Sequence, residues 1–195
     1  MTGRVAAVLV AAALTAGCGR PPGDRMRVVD IIEHEAAAEK RPVGGHFELR
    51  EVSCGGNARM ALSVPASSRV ILPLMLPARG VLTTGLAVDG PPGSAVLFRI
   101  GISDDRIYEP LESIRAAADD CGAGWLPMSV DLHRYAGRKF SLFFQPDRRT
   151  WRLVLATNVE AGEVTAAYWG RPEISSDPAG ARDYFERVRR KGRRR

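Results

Sequence analysis

Between residues 46 and 169 the chain repeats one texture, in which short apolar or alternating runs are each bounded by Gly, Pro, Asn or Asp. The runs fall at 46–52, 60–64, 69–76, 80–88, 95–102, 125–132, 139–145, 151–157 and 164–169. A spacing of roughly 14 residues matches a β-sandwich with some long loops. Several runs alternate with period two. Val96, Phe98 and Ile100 fall on one side of their run, with Leu97, Arg99 and Gly101 on the other. Phe140, Leu142 and Phe144 likewise oppose Ser141, Phe143 and Gln145. Alternation of this kind places one face of an antiparallel sheet in a core. The pattern predicts an all-β, antiparallel β-sandwich. Residues 26–39 depart from it: Val28, Val29, Ile31, Ile32 and Ala36 to Ala38 stand among acids and predict a short helix that ends before Pro42. Residues 178–195 also depart, with Ala181, Tyr184, Phe185 and Val188 at helical spacing before the run KGRRR. They predict a short amphipathic helix with a frayed basic end. Residues 111–120 fit either a helical turn or a strand leading into a loop. No run recurs closely enough to make a repeat, which argues against a solenoid or propeller.

The first residues carry an address. Arg4 precedes an apolar stretch over 5–16, which is far short of the roughly 20 residues needed to span a bilayer and reads as a cleavable export signal. The stretch closes on LTAGC, with the small residues Ala16 and Gly17 before Cys18. This run resembles the lipobox of bacterial lipoproteins, with Thr15 standing where leucine is commonest. The resemblance implies removal of residues 1–17 and lipidation of Cys18. The alternative is an ordinary secretory signal with an incidental cysteine; both readings export the chain. Residues 18–25 then form a tether, 26–176 the sandwich with its N-terminal helical segment, and 177–195 a basic tail. The expected location is the cell envelope, on the outer membrane or its periplasmic face, since Gly19 offers no strong retention signal.

Charge and cysteines refine this picture. The formal charge is +6, yet residues 182–195 alone hold eight basic and two acidic side chains. Residues 18–181 hold 19 basic and 20 acidic ones, so the body is close to neutral. In the tail, Arg189, Arg190, Lys191, Arg193, Arg194 and Arg195 could meet anionic headgroups, or form a solvated end. Nucleic acid is not an expected partner of an exported chain, although the charge alone would permit it. With Cys18 assigned to lipid, Cys54 and Cys121 remain as an even pair in an oxidising compartment, which points to a disulfide. It would close a loop of about 68 residues and contribute ~4 kcal/mol on the chain-entropy estimate. Two unpaired buried thiols are the alternative.

Three stretches carry a further resemblance: AVLFRIGISDD at 95–105, VDLHRYAGRKFSLFF at 130–144 and AYWGRPEI at 167–174. Together they resemble an exported bacterial β-sandwich module that often precedes sulfatase-like domains, similar in pattern to jelly-roll carbohydrate-binding modules. Asp131, Leu132, Tyr135, Ala136 and Gly137 match a turn between two late strands, and Tyr168, Trp169, Gly170 and Pro172 match a final strand. The resemblance spans roughly residues 28–174 and implies a jelly-roll-like sandwich. Because the related proteins continue into a catalytic domain beyond this point, it implies a free-standing, non-catalytic version. Asp131 suits acceptance of backbone amides ahead of it, and Tyr135 suits a buried ring.

The chemistry-bearing residues are sparse. No GxSxG, HExxH, CxxC or phosphate-cradling loop occurs, and His34, His46 and His133 are far apart in sequence. No cofactor is expected beyond a structural calcium, for which Asp104, Asp105, Asp119 and Asp120 are candidates and solvated turn acids the alternative. Sugar modules of the resembling kind grip pyranoses with aromatic rings. The candidates are Trp125, Trp151, Trp169, Tyr108 and Tyr168. Trp169 lies in an apolar strand and is expected in the core, whereas Tyr108 and Trp125 stand near a long loop and are expected to be accessible. The resulting expectation is a lipid-anchored, non-catalytic envelope binding protein that takes polysaccharide. An interaction or structural lipoprotein that docks an envelope protein is the alternative, and a small hydrolase the third reading.

Overall fold

The computed structural model describes residues 28–74, 76–77, 80–103, 107–135 and 152–176. Among these, eleven strands occur: β1 Val28–Asp30, β2 Glu39–Arg41, β3 Glu48–Cys54, β4 Asn57–Val64, β5 Ser68–Leu72, β6 Val81–Asp89, β7 Ala95–Ser103, β8 Tyr108–Ala117, β9 Leu126–Asp131, β10 Arg152–Ala161 and β11 Ala166–Ser175. They form two antiparallel sheets. One runs β3-β4-β11-β6-β9, with β1 added to the end of β11; the other runs β2-β5-β10-β7-β8.

The last eight strands nest. β4 pairs with β11, β5 with β10, β6 with β9 and β7 with β8, while β11–β6 and β10–β7 tie these pairs into their sheets. That pattern is a jelly roll, the double Greek key in which a long hairpin is rolled into two facing sheets. The expected fold class is therefore the observed one, with helix confined to 3-10 turns among the described residues.

Alternation along the strands builds the core. Val96, Phe98 and Ile100 are all fully buried, as the period-two pattern demands. By register they lie beside Leu155 and Thr157 of β10, and Trp169 of the opposite sheet reaches Phe98 edge-on with ring centroids 5.0 Å apart. Trp169 is fully buried, as expected, and sits between Leu62 and Leu86 in register. Truncating a ring of this size in a close-packed core costs about 3–5 kcal/mol.

The helix expected over 26–39 is corrected. Val28–Asp30 form a strand against Glu173–Ser175 of β11, Ile32–Ala37 make a 3-10 turn, and Glu39–Arg41 form a strand against β5. Isolated helices shorter than about 12–15 residues are marginal, while β-branched residues beside an open sheet edge gain ladder hydrogen bonds and burial. Ile31 is buried and its amide donates to the Pro172 carbonyl at 3.0 Å; the Asp30 carboxylate accepts the Ile32 amide at 2.9 Å and starts the turn. Residues 111–120 resolve as a strand, β8, that runs into a 3-10 turn over Ala118–Ala123. At the 130–135 turn, Asp131 accepts the His133 amide at 2.9 Å and Tyr135 is buried. The run at 139–145 and the basic segment at 178–195 lie outside the described residues.

Candidate functional site

Each sheet has an outward face, and the two differ. On the five-stranded sheet, Leu72, Val70, Leu153 and Leu155 point to the core, so by alternation Arg69, Ile71, Arg152, Val154, Ala156 and Asn158 point outward. Register extends these positions into rows across the sheet. One row is Arg41, Arg69, Ala156, Arg99 and Ser113. The next is Glu39, Ile71, Val154, Gly101 and Pro110, with Ser103 and Tyr108 beyond it. Small or apolar side chains make the floor: Val154 and Ala156 are only 3% and 5% exposed although they face outward.

Gly101 has a particular role in this floor. A Cβ there would lie 2.5 Å from the Tyr108 ring and 2.7 Å from its hydroxyl, so the phenol end of Tyr108 rests directly on the glycine backbone. Tyr108 remains 45% exposed. The expectation of an accessible Tyr108 ring thus agrees with its position, and a glycine that alternation alone does not single out makes room for it.

At the β2 side the face deepens into an open depression of about 310 Å3 lined by Arg41, Pro42, Ser67, Ser68, Arg69, Thr157 and Asn158. Its wall is held from within. Thr157 Oγ1 accepts the Ser68 amide at 3.1 Å, lies 2.9 Å from Ser68 Oγ, and donates to the Pro65 carbonyl at 3.0 Å. Ser67 Oγ accepts the Val159 amide at 3.3 Å.

Positive charge dominates the face. Arg41, Arg69, Arg99, Arg115 and Arg152 occupy outward register positions, and among the described residues with a register partner on this face Glu39 is the carboxylate set against them. Glu39 takes Arg41 at 2.5 Å and Arg152 at 3.8 Å. Among the described residues no carboxylate is within ion-pair distance of Arg69, Arg99 or Arg115. Arg41 and Arg69 are direct cross-strand neighbours, an arrangement that is unfavourable for like charges.

The other outward face is covered. Cys54 at the end of β3 and Cys121 in the 3-10 turn form a disulfide, with Cα atoms 4.7 Å apart. The expected pairing is present, and it pins the β8–β9 connection across the six-stranded sheet. Trp125 follows in that connection and closes the face, packed with Cys54, Ala61, Ala87 and Tyr168. The expectation that Trp125 is accessible is corrected, since it is 9% exposed. Its indole N–H donates to the Asn57 carbonyl at 2.8 Å, and its ring lies where Cβ atoms at Gly170 and Gly85 would stand, at 2.5 Å and 3.0 Å. The Arg59 guanidinium stacks over the ring, 5.4 Å from its centroid. Tyr168 is also buried here, its hydroxyl 3.4 Å from Asp89. Burial, then the nearby Asp89 charge, raises its pKa above the ordinary tyrosine value.

The acid pairs separate. Asp119 accepts the Gly93 amide at 3.2 Å and Asp120 accepts the Ala117 amide at 2.9 Å, so both carboxylates brace the β8–β9 connection. Asp104 and Asp105 lie outside the described residues, as do Cys18, Trp151, Arg189, Arg190, Lys191, Arg193, Arg194 and Arg195. His46 contacts Glu48 at 3.1 Å and His133 lies 3.9 Å from Asp131, at separate places in the fold. Among the described residues no three His, Cys, Asp or Glu side chains gather as a metal site would require.

No protein-family model and no curated protein matches the sequence. Solved structures do resemble it, and carbohydrate-binding modules with a β-sandwich fold are among them. The chain is similar to the xylan-binding CBM22-1 domain of Paenibacillus barcinonensis Xyn10C, at 12% identity and a TM-score of 0.45, covering 76% of this chain and 91% of that one. It is similar to the family 11 carbohydrate-binding module of Clostridium thermocellum, in complex with a β-1,3-1,4-mixed-linked tetrasaccharide, at 10% identity and a TM-score of 0.42, covering 76% and 94%. It is also similar to the CBM51-2 and INT domains of Clostridium perfringens ZmpB, at 14% identity and a TM-score of 0.42, covering 71% of this chain and 27% of that one. The chain spans about a quarter of the length of that last protein's chain. Its own strand pairing, not these similarities, assigns the jelly roll.

Proposed function

We propose that this chain is a lipid-anchored, non-catalytic binding protein of the bacterial envelope, and that the outward face of its five-stranded sheet holds carbohydrate. The observation that carries the reading is that face: a floor of small side chains, the exposed ring of Tyr108 on Gly101, and guanidinium, hydroxyl and amide donors around a shallow depression. A saccharide offers hydroxyls to such donors and an apolar ring face to an aromatic side chain. Anchoring at Cys18 rests on the LTAGC run alone, and the envelope location follows from it.

A pull-down of the full chain with a panel of insoluble and soluble polysaccharides tests the binding function. Retention by at least one polysaccharide, weakened in Tyr108→Ala, is the expected result; no retention by any of them refutes it. Metabolic labelling with a palmitate analogue tests the anchor, since Cys18→Ser must abolish the label.

A further inference from the structure

We infer that the polysaccharide this face takes is anionic, with carboxylate or sulfate groups seated on Arg69 and Arg99. The inference deepens the carbohydrate reading above and rests on it. Arg69 and Arg99 flank Ala156 in a single row, one strand to either side, so their backbones are about 10 Å apart at ordinary strand spacing. The residue between them is Ala156, whose methyl is almost wholly covered at 5% exposure, so a ligand would meet the two arginine side chains and not the strand between them. Each guanidinium presents a planar fork suited to bidentate contact with a carboxylate or sulfate. Neither has a carboxylate partner among the described residues, and Arg41, opposite Arg69, adds a third positive charge that Glu39 only partly offsets.

Guanidinium groups can donate to any sugar hydroxyl, but arginines held side by side without counter-charge repel one another, and an anionic polymer relieves that repulsion where a neutral one does not. The surroundings favour a polysaccharide over a bilayer or an acidic protein. Ser103, Ser113 and Asn158 occupy outward positions next to the arginines and suit hydroxyls, and Tyr108 is the large exposed apolar side chain placed on this face by register. Leu49 and Met60 belong to the other sheet and Val159 pairs with the inward Val96, so among the described residues none of these three adds to an apolar patch at the outward positions, as a protein partner would need.

Titration of the full chain with polygalacturonate, dextran sulfate, neutral xylan and neutral dextran tests this, with phosphatidylglycerol vesicles and polyglutamate as competing anions. The expected result is binding of polygalacturonate or dextran sulfate at least about tenfold tighter than either neutral polymer, weakening on going from about 50 to about 500 mM salt as screening shortens. Arg69→Gln with Arg99→Gln should abolish the preference, and Arg69→Lys with Arg99→Lys should keep only part of it, because an ammonium lacks the fork. The salt dependence of the unaltered protein is a readout that does not depend on any variant folding. Equal binding of neutral and anionic polymers, insensitive to salt, overturns the anionic assignment and leaves the carbohydrate reading standing. Binding of no polysaccharide overturns both. Tighter binding of vesicles or polyglutamate than of either anionic polysaccharide overturns the assignment in favour of a membrane or a protein.

Discussion

The two outward faces of the sandwich are built from similar materials and put to opposite uses. Both have floors of small residues: Gly85, Ala61 and Gly170 on the six-stranded sheet, Gly101, Ala156 and Val154 on the five-stranded one. On the first, a disulfide-pinned connection lays Trp125 over two glycines and shuts out water. On the second, Tyr108 lies on one glycine at the rim, and the rest of the floor is bordered by arginines. Small residues on an outward sheet face thus leave room for an aromatic ring, and whether the chain fills it from within decides which face remains for a ligand.

The largest effect that can test this contrast is loss of the disulfide. Cys54→Ser with Cys121→Ser should lower unfolding free energy by about 4 kcal/mol, read as a shift in the urea midpoint. An unshifted midpoint would show that the connection is held without the bond. Next is Trp125→Ala, which should destabilise by about 3 kcal/mol because a packed ring leaves a cavity. Polysaccharide binding per folded molecule should not change in that variant, and a loss of binding would move the site to the covered face. Tyr168 gives a smaller, pH-dependent effect. Its pKa is raised in the folded chain, so the unfolded state ionises first as pH climbs past the ordinary tyrosine value of 10.0. Stability should fall through that range until the folded pKa is passed, and Tyr168→Phe should flatten the fall in chemical denaturation at about pH 9 to 11. Smallest in stability is Gly101→Ala, at under about 1 kcal/mol, because the added methyl meets the movable end of Tyr108. It should nevertheless weaken polysaccharide binding about as much as Tyr108→Ala, and unchanged binding would remove Tyr108 from the site.

The strands are legible in the sequence because their signal is local. Val96, Phe98 and Ile100 declare a buried face by alternation alone, and the bounded runs announce most of the strands. The N-terminal segment misleads for the opposite reason. Val28 and Val29 look compatible with a helix until the edge of β11, about 145 residues away in sequence, is there to receive them. The fate of Trp125 is equally hidden, since what buries it is a pair of glycines from β6 and β11 and a carbonyl from β4.

By itself the sequence determined an all-β chain with alternating strands and a basic C-terminal end, and it pointed to Cys54 and Cys121 as a pair. These depend on periodicity, composition and counting, which need no partner in space. The tertiary structure alone decided that Arg41, Arg69 and Arg99 share one row, that Gly101 makes room for Tyr108, and that Trp125 is walled in. The reason is the nested pairing of the jelly roll, which sets side by side strands that are dozens of residues apart in the chain; the register between them, and so the site, exists only once the sheets have formed.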